Sequence, residues 1–298
     1  MIDAKIETLL TVCELKNFTK TAKKLALTQP AVSQHIKQLE KEYDIKLFNR
    51  SENGIELTQE GLILEKYARR IKSLNENLKQ EIMDEKTNIK RLIIGVTPSA
   101  ESNIISSVLA KYSSSKQNLH ITIISDTIKN LYDKLKNYEL DLAVIDGNVP
   151  SNSFNSILLD TDNLVLAVSN ENPLSKKHVV TLKELKKEKL ILRSIHSGTR
   201  ELFEKHLDSN NESIHSFDII LEVDNIALIK NLVRNNYGVS ILAKSTCDYD
   251  VSRDHFKVIP IENLSMIREL NIIYHKDFSH VEILDDIVQI YNDSKKEK

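Results

Sequence analysis

Between Phe18 and Leu39 the apolar positions recur at helical steps, and beyond Arg91 they gather into short blocks that alternate with polar helices. Ala22 and Leu25 share one face of a first short helix. Val32, Ile36 and Leu39 follow at four- and three-residue steps, which predicts a second helix with one buried stripe. Thr19 is placed to cap the first helix and Thr28 the second, with Ala26-Leu27-Thr28 as the turn between them. Pro30 falls in the first turn of the second helix, where a missing N–H costs nothing. Ala22 is small enough to let the two helices cross closely. Leu47-Phe48-Asn49-Arg50 predicts a strand, Asn53-Gly54 a tight hairpin, and Leu57-Thr58 the end of the return strand.

After Gly61 there is no Gly or Pro until Gly95. Leu64, Ala68, Ile71, Asn75, Leu78 and Ile82 keep alternating four- and three-residue spacing, a narrow seam like that of a coiled coil in which Asn75 can fix register. A helix packed on its own domain would carry the same pattern. The polar run Asp84–Arg91 reads as a hinge. The chain then predicts a strand at Arg91–Thr97, a helix at Ser99–Tyr112, a strand at Leu119–Ser125, a helix at Ile128–Lys136 and a strand at Leu140–Asp146. Further strands are expected at Ile157–Leu159, Leu164–Val168, Leu190–Ser194, Ile219–Val223, Val239–Leu242 and Leu270–Tyr274. Helices are expected at Thr199–Leu207, Asn225–Asn235 and Val281–Ser294. Continuous apolar strands alternating with helices imply parallel-dominated sheets covered on both faces. Thr181…Glu184 and Ser279…Glu282 have the spacing of capping boxes.

Composition narrows the classes. The 298 residues, 41% hydrophobic and 28% charged, suffice for two or three domains with real cores. No run of eighteen apolar residues occurs, and Asp3 and Glu7 open a helical pattern at once rather than a signal peptide, so a cytoplasmic protein without membrane contact is expected. The formal net charge is only −2, yet eight basic residues face three acidic ones between Lys16 and Arg50. Basicity is concentrated where phosphates would sit. Cys13 lies on the apolar face of the helix that opens at Asp3 and Glu7, and Cys247 is the only other cysteine, so a disulfide within the C-terminal part is excluded. The nine histidines show no metal-ligand spacing, with His35 on the second helix and His196 near a loop of interest. No metal or cofactor is expected. No nucleophile elbow, P-loop, GxGxxG or HExxH is present.

The outer face of the second helix carries Gln29, Ser33, Gln34 and Lys37. Gln suits the N6/N7 edge of adenine, Ser several base edges, and Lys a phosphate or guanine. Arg50 stands at the base of the hairpin, near where a flanking phosphate or minor groove would lie. A solvated amphipathic helix shares much of this pattern. In the C-terminal part, ligands are expected beyond the carboxyl ends of strands, where helix N-termini point. Those junctions read Thr97-Pro98-Ser99-Ala100, Ser125-Asp126-Thr127, Asp146-Gly147, Ser197-Gly198-Thr199-Arg200 and Asp224-Asn225. Exposed N–H groups, hydroxyls and a nearby Arg suit a small anion or carboxylate. Ordinary capping and a structural ion pair at Arg200 are the alternatives.

NFTKTAKKL, TQPAVSQHIKQLE and LFNRSENGIELTQEG together resemble the winged helix-turn-helix of the LysR-type transcriptional regulators, end to end. Thr21 stands where that family usually has a second Ala, and Asp44 where a Gly commonly follows the recognition helix. The resemblance implies an α/β architecture: an N-terminal winged helix-turn-helix (1–58), a long dimerisation helix and hinge (59–90), and a periplasmic-binding-protein-like effector domain (91–298). The effector domain is expected to hold two α/β subdomains, 91–161 with 265–298, and 162–264. The implied function is a transcriptional regulator without catalysis. Thr19, Thr28, Gln29, Pro30, Ser33, Gln34, Lys37 and Arg50 would meet DNA. Thr97, Ser99, Ala100, Ser125, Asp146, Ser197, Thr199 and Arg200 would meet the effector. SGTR is similar to the branch that includes sulfur-assimilation and carbon-fixation regulators. Expected partners are promoter double-stranded DNA, a small anionic or carboxylate effector, RNA polymerase, and further copies of the chain as a homodimer assembling to a homotetramer. An α/β enzyme with an accessory DNA-binding module and a constitutive architectural DNA binder are the competing readings.

Overall fold

The structure, a computed structural model, describes residues 3–51, 54–147, 153–278 and 280–296, with the side chains of residues 50 and 51 excepted. Internal contacts divide the chain into Met1–Lys90 with Lys136–Glu139, and Arg91–Leu135 with Leu140–Lys298.

In the first unit, α1 (Ala4–Leu15), α2 (Phe18–Lys24) and α3 (Gln29–Tyr43) enclose Leu9, Val12, Ala22, Val32, Ile36, Leu39 and Leu47. The α3 stripe is buried at all three expected positions, and Thr28 caps that helix by accepting from the Ala31 N–H. Thr19 does not cap α2. Asn17 does, accepting from the Lys20 N–H at 2.9 Å, and Thr19 lies exposed inside the helix. Phe18 packs edge-on to Phe48 at 6.0 Å, so the helix must already have begun there. Asp44 ends α3 in the left-handed conformation expected of a Gly replacement, with φ 51°. Thr21 is fully buried, and its hydroxyl donates to the Thr11 carbonyl at 3.4 Å, so the extra polar group is satisfied.

The wing is an antiparallel pair, β1 (Phe48–Ser51) and β2 (Gly54–Leu57), with Phe48 opposite Leu57 and Ser51 opposite Gly54. Asn53 lies outside the described residues. Thr58 leaves the second strand to start α4 (Gln59–Thr87), accepting from the Gly61 N–H at 2.9 Å. Gly61 is required there, because a Cβ would stand 2.4 Å from the Leu47 carbonyl oxygen.

The seam on α4 differs from its expected course. Leu64 and Ala68 pack into the core of their own unit. The exposed apolar stripe instead runs through Ile63, Tyr67, Ile71, Leu74, Leu78 and Ile82. The expected hinge is also shorter. Residues 84–87 stay helical, Asn88 closes α4 at φ 51°, and β3 begins at Lys90. Asp84 is held in the helix by the Gln80 amide one turn back, at 2.6 Å.

The second unit runs β3 (Lys90–Val96), α5 (Pro98–Glu101), α6 (Ile105–Ser115), β4 (Leu119–Ser125), α7 (Ile128–Lys136), β5 (Leu142–Asp146), β6 (Phe154–Val168), α8 (Leu182–Leu185) and β7 (Lys189–Leu192). It continues with α9 (Gly198–Ser209), β8 (Asp218–Glu222), α10 (Ile226–Arg234), β9 (Val239–Ala243), α11 (Lys244–Ser252), β10 (Lys257–Ile259), β11 (Ile267–His275) and α12 (Val281–Lys296). The strand order is β4-β3-β5-β11-β6-β9-β7-β8, with β10 also on β6.

Three expectations change here. The sheet is mixed rather than parallel-dominated: β3/β5, β7/β8 and β7/β9 are parallel, but β11 runs antiparallel to β5 and β6, and β6 antiparallel to β9 and β10. The two expected strands at 157–159 and 164–168 are one strand, β6. Its first half pairs with β11 and its last residues with β9 and β10, so it links two halves with separate cores. The polar middle, Asp160–Asn163, hides this continuity from the hydrophobic pattern. The expected helix 99–112 is two helices. Ser102 donates to the Pro98 carbonyl and the Asn103 side chain accepts from the Ile104 N–H, local bonds that compete with helix continuation. The Thr181–Glu184 capping box is present, whereas Ser279 lies outside the described residues.

Candidate DNA-binding and effector sites

On α3, Thr28, Gln29, Pro30, Gln34 and Lys37 are exposed and Ser33 is half-buried, so one polar surface runs along the helix. Gln29 Nε2 donates to Ser33 Oγ at 2.9 Å, which places both side chains on a common face. Thr19 is exposed on α2. The Arg50 side chain lies outside the described residues. His35, unlike its polar neighbours, turns inward, with Nδ1 2.8 Å from Thr8 Oγ1 on α1. It fixes α3 against α1 and leaves the outer face to Gln29, Ser33, Gln34 and Lys37.

In the second unit, the chain leaves β3 at Thr97, β5 at Asp146 and β7 at Arg193. Thr97 stands at the N-cap position of α5 without a side-chain cap, and its hydroxyl donates to Asp146 Oδ1. Asp146 is also bound through Oδ2 by Arg268 of β11. Arg268 reaches Thr199 Oγ1 in the first turn of α9 at 3.3 Å, and Asp162 in the middle of β6 at 3.5 Å. Asp162 in turn accepts from the Ser245 hydroxyl at 2.7 Å and its N–H at 3.2 Å. One guanidinium thus joins strand ends from both halves of the sheet with the strand that links them. A Cβ on Gly198 would lie 3.6 Å from the Asp146 carbonyl oxygen, so the SGTR turn closes directly on the β5 end. Beside it an opening of about 300 Å³, continuous with solvent, is lined by Ser99, Ala100, Asn103, Asp146, Ser245 and Arg268 among others.

Seven of the eight expected effector residues, Thr97, Ser99, Ala100, Asp146, Ser197, Thr199 and Arg200, are buried. Ser125 is exposed, and its junction is occupied by local bonds. There Thr127 caps α7 through the Asn130 N–H, and Lys134 pairs with Asp126 at 2.6 Å. Arg200 is engaged within its own half, by Glu204 and Glu222 at 2.7 Å each and by the Arg193 carbonyl at 3.2 Å. His196 is exposed.

Sequence reasoning missed Arg193 and Arg268. Arg268 lies inside a strand, where nothing in the local pattern sets it apart. Arg193 was legible, since a cation directly after the apolar run Leu190-Ile191-Leu192 stands at a strand's carboxyl end. It is only 4% exposed. Burial pulls its guanidinium below its ordinary value, partly offset by the charges of Asp224 and Asp146. Cys247 is fully buried, and burial pushes its thiol up to about 12, which makes it a core side chain rather than a nucleophile. Among the described residues no group of His, Cys, Asp and Glu is placed to hold a metal ion, and no helix is long and apolar enough to cross a membrane.

Comparison with known proteins matches both units. Residues 4–62 match the bacterial regulatory helix-turn-helix protein, lysR family, and residues 86–293 match the LysR substrate binding domain. The uncharacterized HTH-type transcriptional regulator MJ0300 of Methanocaldococcus jannaschii is 30% identical over 278 residues, covering 91% of this chain and 93% of its own. The HTH-type transcriptional regulator CysL of Bacillus subtilis is 29% identical over 270 residues, covering 90% and 89%. In fold, the chain is similar to full-length CbnR complexed with its target DNA, with TM-score 0.68, 18% identity, and coverage of 99% of this chain and 100% of that one. The chain therefore belongs to the LysR family: it is a DNA-binding transcriptional regulator with an effector-binding domain, and not an enzyme.

Proposed function

We propose that two copies of the chain pair through the exposed stripe of α4 and read a two-fold operator at a promoter, with a small anionic effector in the β-strand-end cleft setting the outcome. Gln29, Ser33 and Gln34 read base edges, while Thr19, Thr28, Pro30, Lys37 and Arg50 meet the backbone and orient α3 in the major groove. The stripe Ile63–Ile82 supports pairing, since six large apolar side chains along one helix face favour burial against a like surface. Two dimers forming a tetramer would span two half-sites, with RNA polymerase as the neighbour at the promoter and the cytoplasm as the place of action.

The observation that carries the effector reading is the behaviour of the cleft hydroxyls. Thr28, Thr58 and Asn225 cap their helices with their side chains, whereas Thr97 and Ser197 occupy N-cap positions without doing so. Ordinary capping therefore does not account for them. Thr97, Ser99, Ala100, Asp146, Ser197 and Thr199 form the effector set, with Ser125 at its margin and Arg200 bracing the turn. A ligand that prefers one arrangement of the two halves by about 1–3 kcal/mol shifts regulation by the amounts typical of allosteric proteins. Footprinting on the promoters of the protein's own genome tests this. An interrupted palindrome whose protection changes with a small anion is expected. Protection unchanged by any ligand would favour a constitutive architectural binder.

A further inference from the structure

Arg193 is a buried charge left incomplete by the described residues. It follows β7 directly, and its Nε and Nη1 are buried without a hydrogen-bond partner among the described residues. Buried guanidinium groups are costly unless paired, because desolvation removes the water that would bind their N–H donors. The neighbouring charges have other commitments. Asp146 is bound by Arg268 and Thr97, and Glu204 and Glu222 are bound by Arg200. Asp224 acts on Arg193 without a direct ion pair.

The second half of the feature is the start of α9, a twelve-residue helix. Its first N–H groups have no intrahelical acceptor, and Ser197 leaves them without a side-chain cap. Arg193 and this helix start belong to one turn. The Ser197 N–H donates to the Ser194 carbonyl at 3.0 Å, and Arg200 of α9 donates to the Arg193 carbonyl. Arg268, which is bound to Asp146, meets Thr199 in that same first helical turn, and the charges of both Asp146 and Arg268 act on the Arg193 guanidinium. Arg193 thus stands at the carboxyl end of β7, in the turn that leads into α9.

The geometry points to Arg193 and the N-terminus of α9 as one oxyanion subsite, which takes a single compact anionic group of the effector: a carboxylate or a tetrahedral oxyanion. This rests on the effector reading above and adds the residue that holds the anion. A guanidinium with free donors and a row of backbone N–H groups is the donor set such an anion needs.

The test is calorimetric titration of the full-length protein with sodium sulfate, sodium phosphate and sodium acetate at constant ionic strength set with chloride. Saturable binding of at least one of these is expected. A preference for sulfate or phosphate assigns a tetrahedral group, and a preference for acetate assigns a carboxylate. Arg193→Gln should weaken that binding about 10-fold or more, the loss expected of a charge-assisted hydrogen bond, while Arg193→Lys retains part of it. Where Arg193→Gln does not fold, Arg193→Lys and Ser197→Ala read the same site, and both should bind more weakly than wild type. Equal binding by wild type and all these variants would overturn the role of Arg193 and leave the cleft reading standing. Binding of none of the three anions to wild type would overturn the anionic effector itself.

Discussion

Replacing Arg268 by Met removes the guanidinium that ties Asp146, Asp162 and Thr199 together. The arginine and Asp146 side chains are only 5% and 7% exposed, so little water can enter to replace the lost charge. Among the described residues Asp146 would keep a single side-chain donor, the Thr97 hydroxyl. Removing one partner of a buried pair costs about 3–5 kcal/mol, because the remaining charge is left desolvated. For a unit of this size each kcal/mol lowers the melting temperature by roughly 2–4 °C, so the drop should be about 6–20 °C. The chain has no Trp, and circular dichroism of the full-length protein is the suitable readout. Adding Asp146→Leu to Arg268→Met should recover most of the loss, since an apolar pair needs no compensation. Asp162 tolerates both changes because Ser245 still donates to it twice. A single variant melting within about 2 °C of wild type would refute the argument, for it would mean that the pair is solvated and contributes little.

Gln29→Ala should weaken operator binding by about 1–3 kcal/mol in a titrated gel-shift assay if Gln29 makes a bidentate base contact. An equal loss on random DNA would reassign it to the backbone. Leu78→Asp, at a position 56% exposed on α4, should leave the fold intact and shift sedimentation from dimer to monomer. Each copy of a buried Leu contributes roughly 1.5–3 kcal/mol to such an interface, and an unchanged sedimentation profile would refute pairing through this stripe. Burial alone would raise the Asp250 carboxyl, but hydrogen bonds and charge from Lys230, with His255 and Arg234, outweigh it and hold it below its ordinary 3.8. Its contribution to stability is therefore present above 3.8 and lost as pH falls through the lower folded value. The stability difference between wild type and Asp250→Asn in urea titrations should narrow in that acid range, and a constant difference would disprove the linkage.

How far the sequence reached depended on whether a feature was local. The buried stripe Val32, Ile36 and Leu39, the Thr28 cap, β4 at Leu119–Ser125 and α7 at Ile128–Lys136 were all legible, because burial and capping repeat at fixed short spacings. The left-handed Asp44 was legible from the family resemblance, because it stands where a Gly is common. The sequence by itself determined these elements and the polar face of α3.

Tertiary structure decided the rest. Asn17 displaced Thr19 as the cap because Phe18 had to reach Phe48 across the unit. The α4 seam divided into an inward face at Leu64 and Ala68 and an outward stripe, since helical spacing alone does not say which of two apolar faces meets the core. β6 ran unbroken through a polar middle because its two halves pair with different neighbours. Arg268 reaches Asp146, Asp162 and Thr199 across long stretches of chain, and no periodicity records such a meeting. A charge becomes informative only when burial removes its water. That depends on what packs around it, so Arg268 stands out only in the fold, and the strand-end position of Arg193, legible in the sequence, gains its buried charge only there.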